Sequence, residues 1–268
     1  MTHPLDGARA KVHRANRHMK ELETEIALSG YADSIGFAQE FHADANTIEV
    51  TLQGVPELPV EWALMAADCV QNLRSALNYL AWELSRWNLQ RQGLSREPDR
   101  KTQFPINTAP RQFDAYRLPD VHPDHVAIIQ SLQPNEAPFL SGQPEGALLY
   151  ASVPTLAKQH VLGPIVELTN EDKHRVLPSL LTTSRRSEIG DYTFIDCVDA
   201  STETFIQLDI ENGAKWAEFQ VTVTGPEPKV EVGDKITPTV AFGGYMIEII
   251  ADVCGWVGRL LDDFAPVF

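Results

Sequence analysis

Two stretches of this 268-residue chain concentrate side chains able to hold charge or move a proton. The first, Asn72 to Leu84, reads NLRSALNYLAWEL and sets Arg74, Asn78 and Tyr79 among apolar residues. Arg74, Tyr79 and Trp82 could line a pocket for a small anion, with the amides of Asn72 and Asn78 in support. The second stretch is Asn170-Glu171-Asp172-Lys173-His174-Arg175. Its Lys173, His174 and Arg175 could bind a phosphate or carboxylate, Arg175 through a bidentate fork and His174 as a group that titrates near physiological pH. The same residues also suit a plain helix end. Cations in a final turn oppose the negative pole of the helix dipole, and Asn170 or Asp172 can satisfy exposed backbone groups. If both stretches are functional, Arg74 and His174 face one space and hold one anion.

Other clusters point away from chemistry. His122 and His125, in Val-His-Pro-Asp-His, lack a third metal ligand and have Pro123 between them, which predicts a loop leading into a helix N-terminus. Gly243-Gly244 lacks the remaining glycines of a dinucleotide fingerprint, and the chain has no Walker loop, Gly-x-Ser-x-Gly elbow or His-Glu-x-x-His pair. Cys69, Cys197 and Cys254 are far apart and form no CxxC pair, so they read as reduced, buried thiols. Neither a metal nor a cofactor is expected.

The elements that must position these residues are drawn from a chain that is 43% hydrophobic and carries a net charge of -15. No run of about 18 apolar residues occurs, and MTHPLDGARAKVHRANRHMK lacks a secretory apolar stretch, so no membrane contact is expected and the cytoplasm is the predicted compartment. The charge is uneven. From Ser187 to Phe268 there are fifteen Asp and Glu against four Lys and Arg, a balance that repels nucleic acid. Residues 1–20 carry Arg9, Lys11, Arg14, Arg17 and Lys20 against Asp6, either as the first contact for a polyanion or as a solvated face paired with Glu21, Glu23 and Glu25.

The apolar spacing predicts a charged first helix over 5–29, stopped by Ser29-Gly30, then a β-hairpin within 35–53 that turns at Ala43 to Asn46. Glu57 to Arg91 is the central helix. Residues 92–146 are rich in proline, with Phe104-Pro105-Ile106 as a docked loop and short helices over 111–117 and 124–132. Helical stretches follow from about Glu145, interrupted at Pro154, and from Gly163-Pro164 to His174. Strands are expected over 180–183, 192–198, 204–210, 218–224 and 236–242, before a last helix from Met246 to Phe264. The fold class is α+β: a mainly helical part over 1–175 that includes the hairpin, and an antiparallel sheet with a final packing helix over 176–268, packed as one unit.

At about 100° per residue, Trp62, Ala66, Cys69, Leu73, Leu77, Leu80 and Leu84 form one stripe of the central helix. Arg74 and Asn78 lie off one margin of it, Asn72, Tyr79 and Glu83 off the other, and Trp82 points almost directly away. A back-facing tryptophan predicts cover on that side, from another layer of the fold or from a second subunit, and a homodimer is the favoured source.

NLRSAL at 72–77 and LAWEL at 80–84, with Thr102-Gln103-Phe104-Pro105-Ile106 and the 170–175 segment, resemble a widespread, uncharacterised family of bacterial proteins, over the chain to about residue 183. Its arginine, polar residue and histidine pattern is similar to the active-site motif of HEPN-type helical bundles, many of them metal-independent ribonucleases. The resemblance implies catalytic places at Arg74 and Tyr79. There the histidine would shuttle a proton for attack of a ribose 2′-hydroxyl, and the arginine would stabilise phosphoryl charge. Here Tyr79 stands in the histidine place, and a phenol with an ordinary pKa near 10 is a poor base at neutral pH. Residues five apart differ by roughly 140° around a helix, so such a site is better completed across a dimer. The expected function is a HEPN-like, nucleic-acid- or nucleotide-related binding or processing factor in bacterial defence, with RNA or an anionic ligand as partner. The competing expectations are a non-catalytic homodimeric scaffold and a small anionic-ligand binder.

Overall fold

A computed structural model describes residues 3–107, 113–134, 161–172, 175–183, 192–204, 209–233 and 238–268. The fold is α+β, with a long helix, an N-terminal hairpin, antiparallel sheets and a C-terminal helix. It divides into two compact units, residues 1–23, 60–178 and 247–268 in one and residues 24–59 and 179–246 in the other. The expected boundary near 175 falls close to one crossing, but the hairpin belongs with the later strands and the last helix with the earlier helices.

The first unit is built on helix α2 (Val60–Arg91), whose 32 residues span about 48 Å at 1.5 Å each. Its predicted stripe, Trp62, Ala66, Cys69, Leu73, Leu77, Leu80 and Leu84, is buried throughout. It packs on α4 (Gly163–Asp172) and α5 (Ile247–Phe264). Cys69 and Cys254 of α5 are buried free thiols with Sγ atoms 3.4 Å apart. Helix α1 (Asp6–Ser29) buries Ala8, Val12, Ala15, Met19 and Leu22, a three-and-four spacing that gives one apolar face. Gly30 follows it with φ +63°, the left-handed stop that glycine permits.

Helix α3 (Pro123–Ser131) begins as expected on a histidine loop. His122 caps it, its Nδ1 accepting from the Asp124 N–H, and proline fills the first turn. His125 is 9% exposed, packs 5.2 Å from Trp87 and 6.2 Å from Phe264, and has a buried Nδ1 without a partner. Burial, reinforced by His122, holds its pKa below the ordinary 6.5. The unfolded chain therefore binds this proton more readily than the fold does. The stability from neutral His125 is full above about pH 6.5 and is lost as pH falls through the lower folded value. Urea melts from pH 7.5 to 5 should show that decline in the wild type and a flatter profile in His125→Phe, and parallel profiles would contradict it.

In the second unit, β1 (Gly36–His42) pairs antiparallel with β2 (Thr47–Gln53), as the hairpin pattern predicts. Ile48, Val50 and Leu52 alternate into the core. Strand β2 also pairs with β7 (Lys215–Val223), Ile48 opposite Phe219, which binds the hairpin to the late strands. Strand β5 (Cys197–Thr204) completes the order β1-β2-β7-β5. A second sheet holds β3 (Ser179–Thr183), β6 (Asp209–Ile210), β9 (Pro238–Phe242) and β10 (Tyr245–Met246) in the order β10-β9-β3-β6. Strands β4 (Tyr192–Ile195) and β8 (Lys229–Val232) form a separate ladder.

Several expectations change. The strand predicted over 192–198 is broken at Asp196, whose φ is +54° and whose carbonyl and carboxylate accept from the backbone of Thr224, Gly225 and Glu227. An aspartate tolerates that conformation, so no glycine marks the turn. Strand β7 starts earlier than expected, and β8 and β10 are too short to register as alternating runs. Around 111–117 the described residues hold a single 3-10 turn, Ala115–Arg117. The helix expected from Glu145, the end of α4 at 173–174, and residues 205–208 and 236–237 of two predicted strands lie outside the described residues. No helix among the described residues is long and apolar enough to cross a membrane.

Candidate functional site

The side of α2 opposite its leucine stripe opens on a cleft of about 480 Å³, lined by Ser75, Asn78, Tyr79, Trp82, Glu83 and Thr102. Spacings of three and four bring the first five onto one face. Trp82 sits at the centre of that face, where the sequence placed it. Tyr79, 46% exposed, lies against α1 so closely that a Cβ on Gly7 would stand 3.2 Å from its ring. Glu83 pairs with Arg86 at 3.0 Å, and burial holds its carboxyl above the ordinary value, more than Arg86 lowers it. Ser75 donates to the Gln71 carbonyl one turn earlier, leaving its oxygen able to accept.

The far wall is the expected docked loop. Phe104 is 0% exposed, and its N–H donates to Asn78 Oδ1 at 3.1 Å, tying the loop to the helix. Thr102 is 6% exposed, and its buried Oγ1 meets no partner. Asp120 clamps the loop. Its carboxylate takes both Arg96 nitrogens and the Asp99 N–H, while its carbonyl accepts from Asn88 of α2. The Arg96 hydrogen bonds hold the Asp120 carboxyl below its usual range, so this contribution is present above the ordinary carboxylate pKa and is lost in stronger acid. Asp120→Ala strands the Asp99 N–H and is expected to cost about 2 kcal/mol. Melting should fall by on the order of 5 °C, and an unchanged midpoint would show that the clamp contributes nothing.

Arg74 does not line the cleft. It lies one turn from Asn78 on the same side of α2, with Nη1 buried and no hydrogen-bond acceptor among the described residues. No ion pair to Arg74 occurs there either. Burial, and secondarily the charge of Arg117, lowers its pKa to about 10, which still leaves it a cation at neutral pH. Arg117 itself donates to Gln103 Oε1 at 3.0 Å and pairs with Asp114 at 3.4 Å. Arg74 is thus partly buried, with Nη1 closed off from water and no carboxylate paired with it among the described residues. That is costly unless something anionic is bound.

The remaining candidates are distributed as follows. Asn72 donates to the Asp68 carbonyl of its own helix at 2.7 Å. Asp172 accepts from Gln71 at 3.0 Å, which brings the end of α4 within one helical turn of Arg74. Asn170 is exposed. Arg175 is paired with Glu171 four residues earlier, and its side chain is 66% exposed. Lys173 and His174 lie outside the described residues, and with them the proposed approach of His174 to Arg74. At the basic N-terminal end, Arg9 meets Asp262 at 3.1 Å and Arg17 meets Glu21 at 3.8 Å.

Sequence reasoning named Asn78, Tyr79 and Trp82, set Arg74 in the same pocket, and missed Ser75, Glu83 and Thr102 as its walls. The back-facing tryptophan was the available signal, since it demanded cover without saying what supplied it. Among the described residues no group of three or more His, Cys, Asp and Glu side chains could hold a metal ion. No protein-family model, curated protein or solved structure matches this chain.

Proposed function

We propose that this protein binds small anionic ligands of the nucleotide class, with Arg74 as the cation that meets their phosphate. The carrying observation is the Arg74 guanidinium, charged at neutral pH, with Nη1 buried and unpartnered. A phosphate oxygen brought to this guanidinium would supply the charge-assisted hydrogen bond that Nη1 lacks among the described residues. The cleft that shares Asn78 with this side of α2 has a volume within the usual range of small-molecule sites. The expectation of nucleotide-related binding is thus retained. RNA cleavage is not part of the proposal, because a proton shuttle would fall to the Tyr79 phenol.

Thermal melts in a panel of nucleoside monophosphates and diphosphates, at matched ionic strength, test the reading. Ligand at a hundred times its Kd should stabilise the wild type by about 2.7 kcal/mol. Arg74→Met should lose most of that protection. No protection of the wild type by any member, or equal protection of both proteins, would remove Arg74 as the anion site.

A further inference from the structure

We infer that the cleft behind the central helix seats a flat, aminated heteroaromatic ring of the guanine type on Trp82, its carbonyl facing Asn78 and its amino group facing Glu83. This rests on the nucleotide-class reading above and names the part of the ligand that the phosphate site does not explain. Three features of the cleft argue for it.

The first is an unmet hydroxyl. Thr102 lines the cleft at a residue exposure of 6%, and its buried Oγ1 has no hydrogen-bond partner among the described residues. A buried hydroxyl without a partner, facing an open cleft, is a group that a polar atom of a ligand would satisfy. The second is the orientation of Asn78. Its Oδ1 accepts from the Phe104 N–H, so on this cleft-lining residue it is Nδ2 that remains to donate. A ring carbonyl is the matching acceptor. The third is Glu83, on the other flank of Trp82. Its Arg86 partner leaves acceptor capacity on the carboxylate, which suits the N–H groups of an exocyclic amine. Between them the indole of Trp82 supplies an apolar, flat floor on which a base can stack.

The ring chemistry follows from those positions. Adenine offers no carbonyl to Asn78, and hypoxanthine offers no amino group to Glu83. Among the purines, guanine offers both. A site built to accept from an amine discriminates strongly against the analogue that lacks it, because its acceptor is then left unpaired.

The test is a fluorescence titration of the full chain with guanosine, inosine and adenosine, none of which carries a phosphate. Guanosine should quench the emission saturably, Trp82→Phe should lose most of that quench, and inosine and adenosine should bind at least tenfold more weakly. Glu83→Gln should narrow the gap between guanosine and inosine. No saturable quench by guanosine, a quench that Trp82→Phe keeps in full, or inosine binding as tightly as guanosine would overturn the inference, and the nucleoside series needs no variant to fold. Guanosine monophosphate separates this from the reading it rests on. If guanosine binds and the added phosphate gains nothing, the Arg74 proposal fails and the cleft stands. If the phosphate panel protects but guanosine does not bind, the reverse holds.

Discussion

Arg74→Met is expected to make the unliganded protein more stable, by about 1–4 kcal/mol, while removing its response to phosphate-bearing ligands. An arginine whose stem packs against apolar neighbours ordinarily destabilises when truncated, so the direction of this change is informative. Methionine keeps an unbranched stem of similar reach and removes the charge. What it removes is a guanidinium whose buried Nη1 meets no acceptor among the described residues and which Arg117 repels. Urea unfolding at pH 7 reads the effect, and a less stable Arg74→Met would show that the charge is already satisfied.

The largest loss is expected from Phe104→Ala, about 3–5 kcal/mol. The ring is 0% exposed and is the anchor by which the proline-rich loop docks. Its backbone N–H holds the Asn78 amide, and Thr102, two residues earlier, forms the cleft wall. Truncation therefore empties a core position and loosens the wall of the cleft. A melting point lower by on the order of 10 °C should accompany weaker ligand binding. Tyr116→Ala, at a ring 65% exposed, should stay within about 0.5 kcal/mol and serves as the control. A Phe104→Ala protein that melts with the wild type would mean that the loop is not held by this side chain.

The central helix was legible because its leucines recur at a period no other element shares. Once that stripe is assigned to the core, Trp82 must face away from it, and the cleft lies on that side. The identity of the opposite wall was not legible. Phe104-Pro105-Ile106 reads as a docked loop, but its place on Asn78 depends on the Arg96 and Asp120 clamp, two residues 24 apart whose types suit any surface turn. The hairpin shows a comparable limit. Its alternation predicts strands β1 and β2, while the pairing of β2 with β7 sets Ile48 opposite Phe219, far away in sequence, which no local pattern encodes.

Electrostatic character divided in the same way. The cations of residues 170–175 read as a helix end first and as an anion site second, and Arg175 is paired with Glu171. Arg74 looked no different in sequence from a surface arginine on a helix margin. Its partial burial and the nearby charge of Arg117, 43 residues later in the chain, are set by the fold and not by any local pattern.

Crystals soaked in selenate, with anomalous diffraction collected at the selenium edge, test that charge most directly. The expected result is an anomalous peak within hydrogen-bond reach of Arg74 Nη1, lost in crystals of Arg74→Met. A well-ordered Arg74 bonded to a carboxylate or a backbone carbonyl, with no peak beside it, would contradict the account.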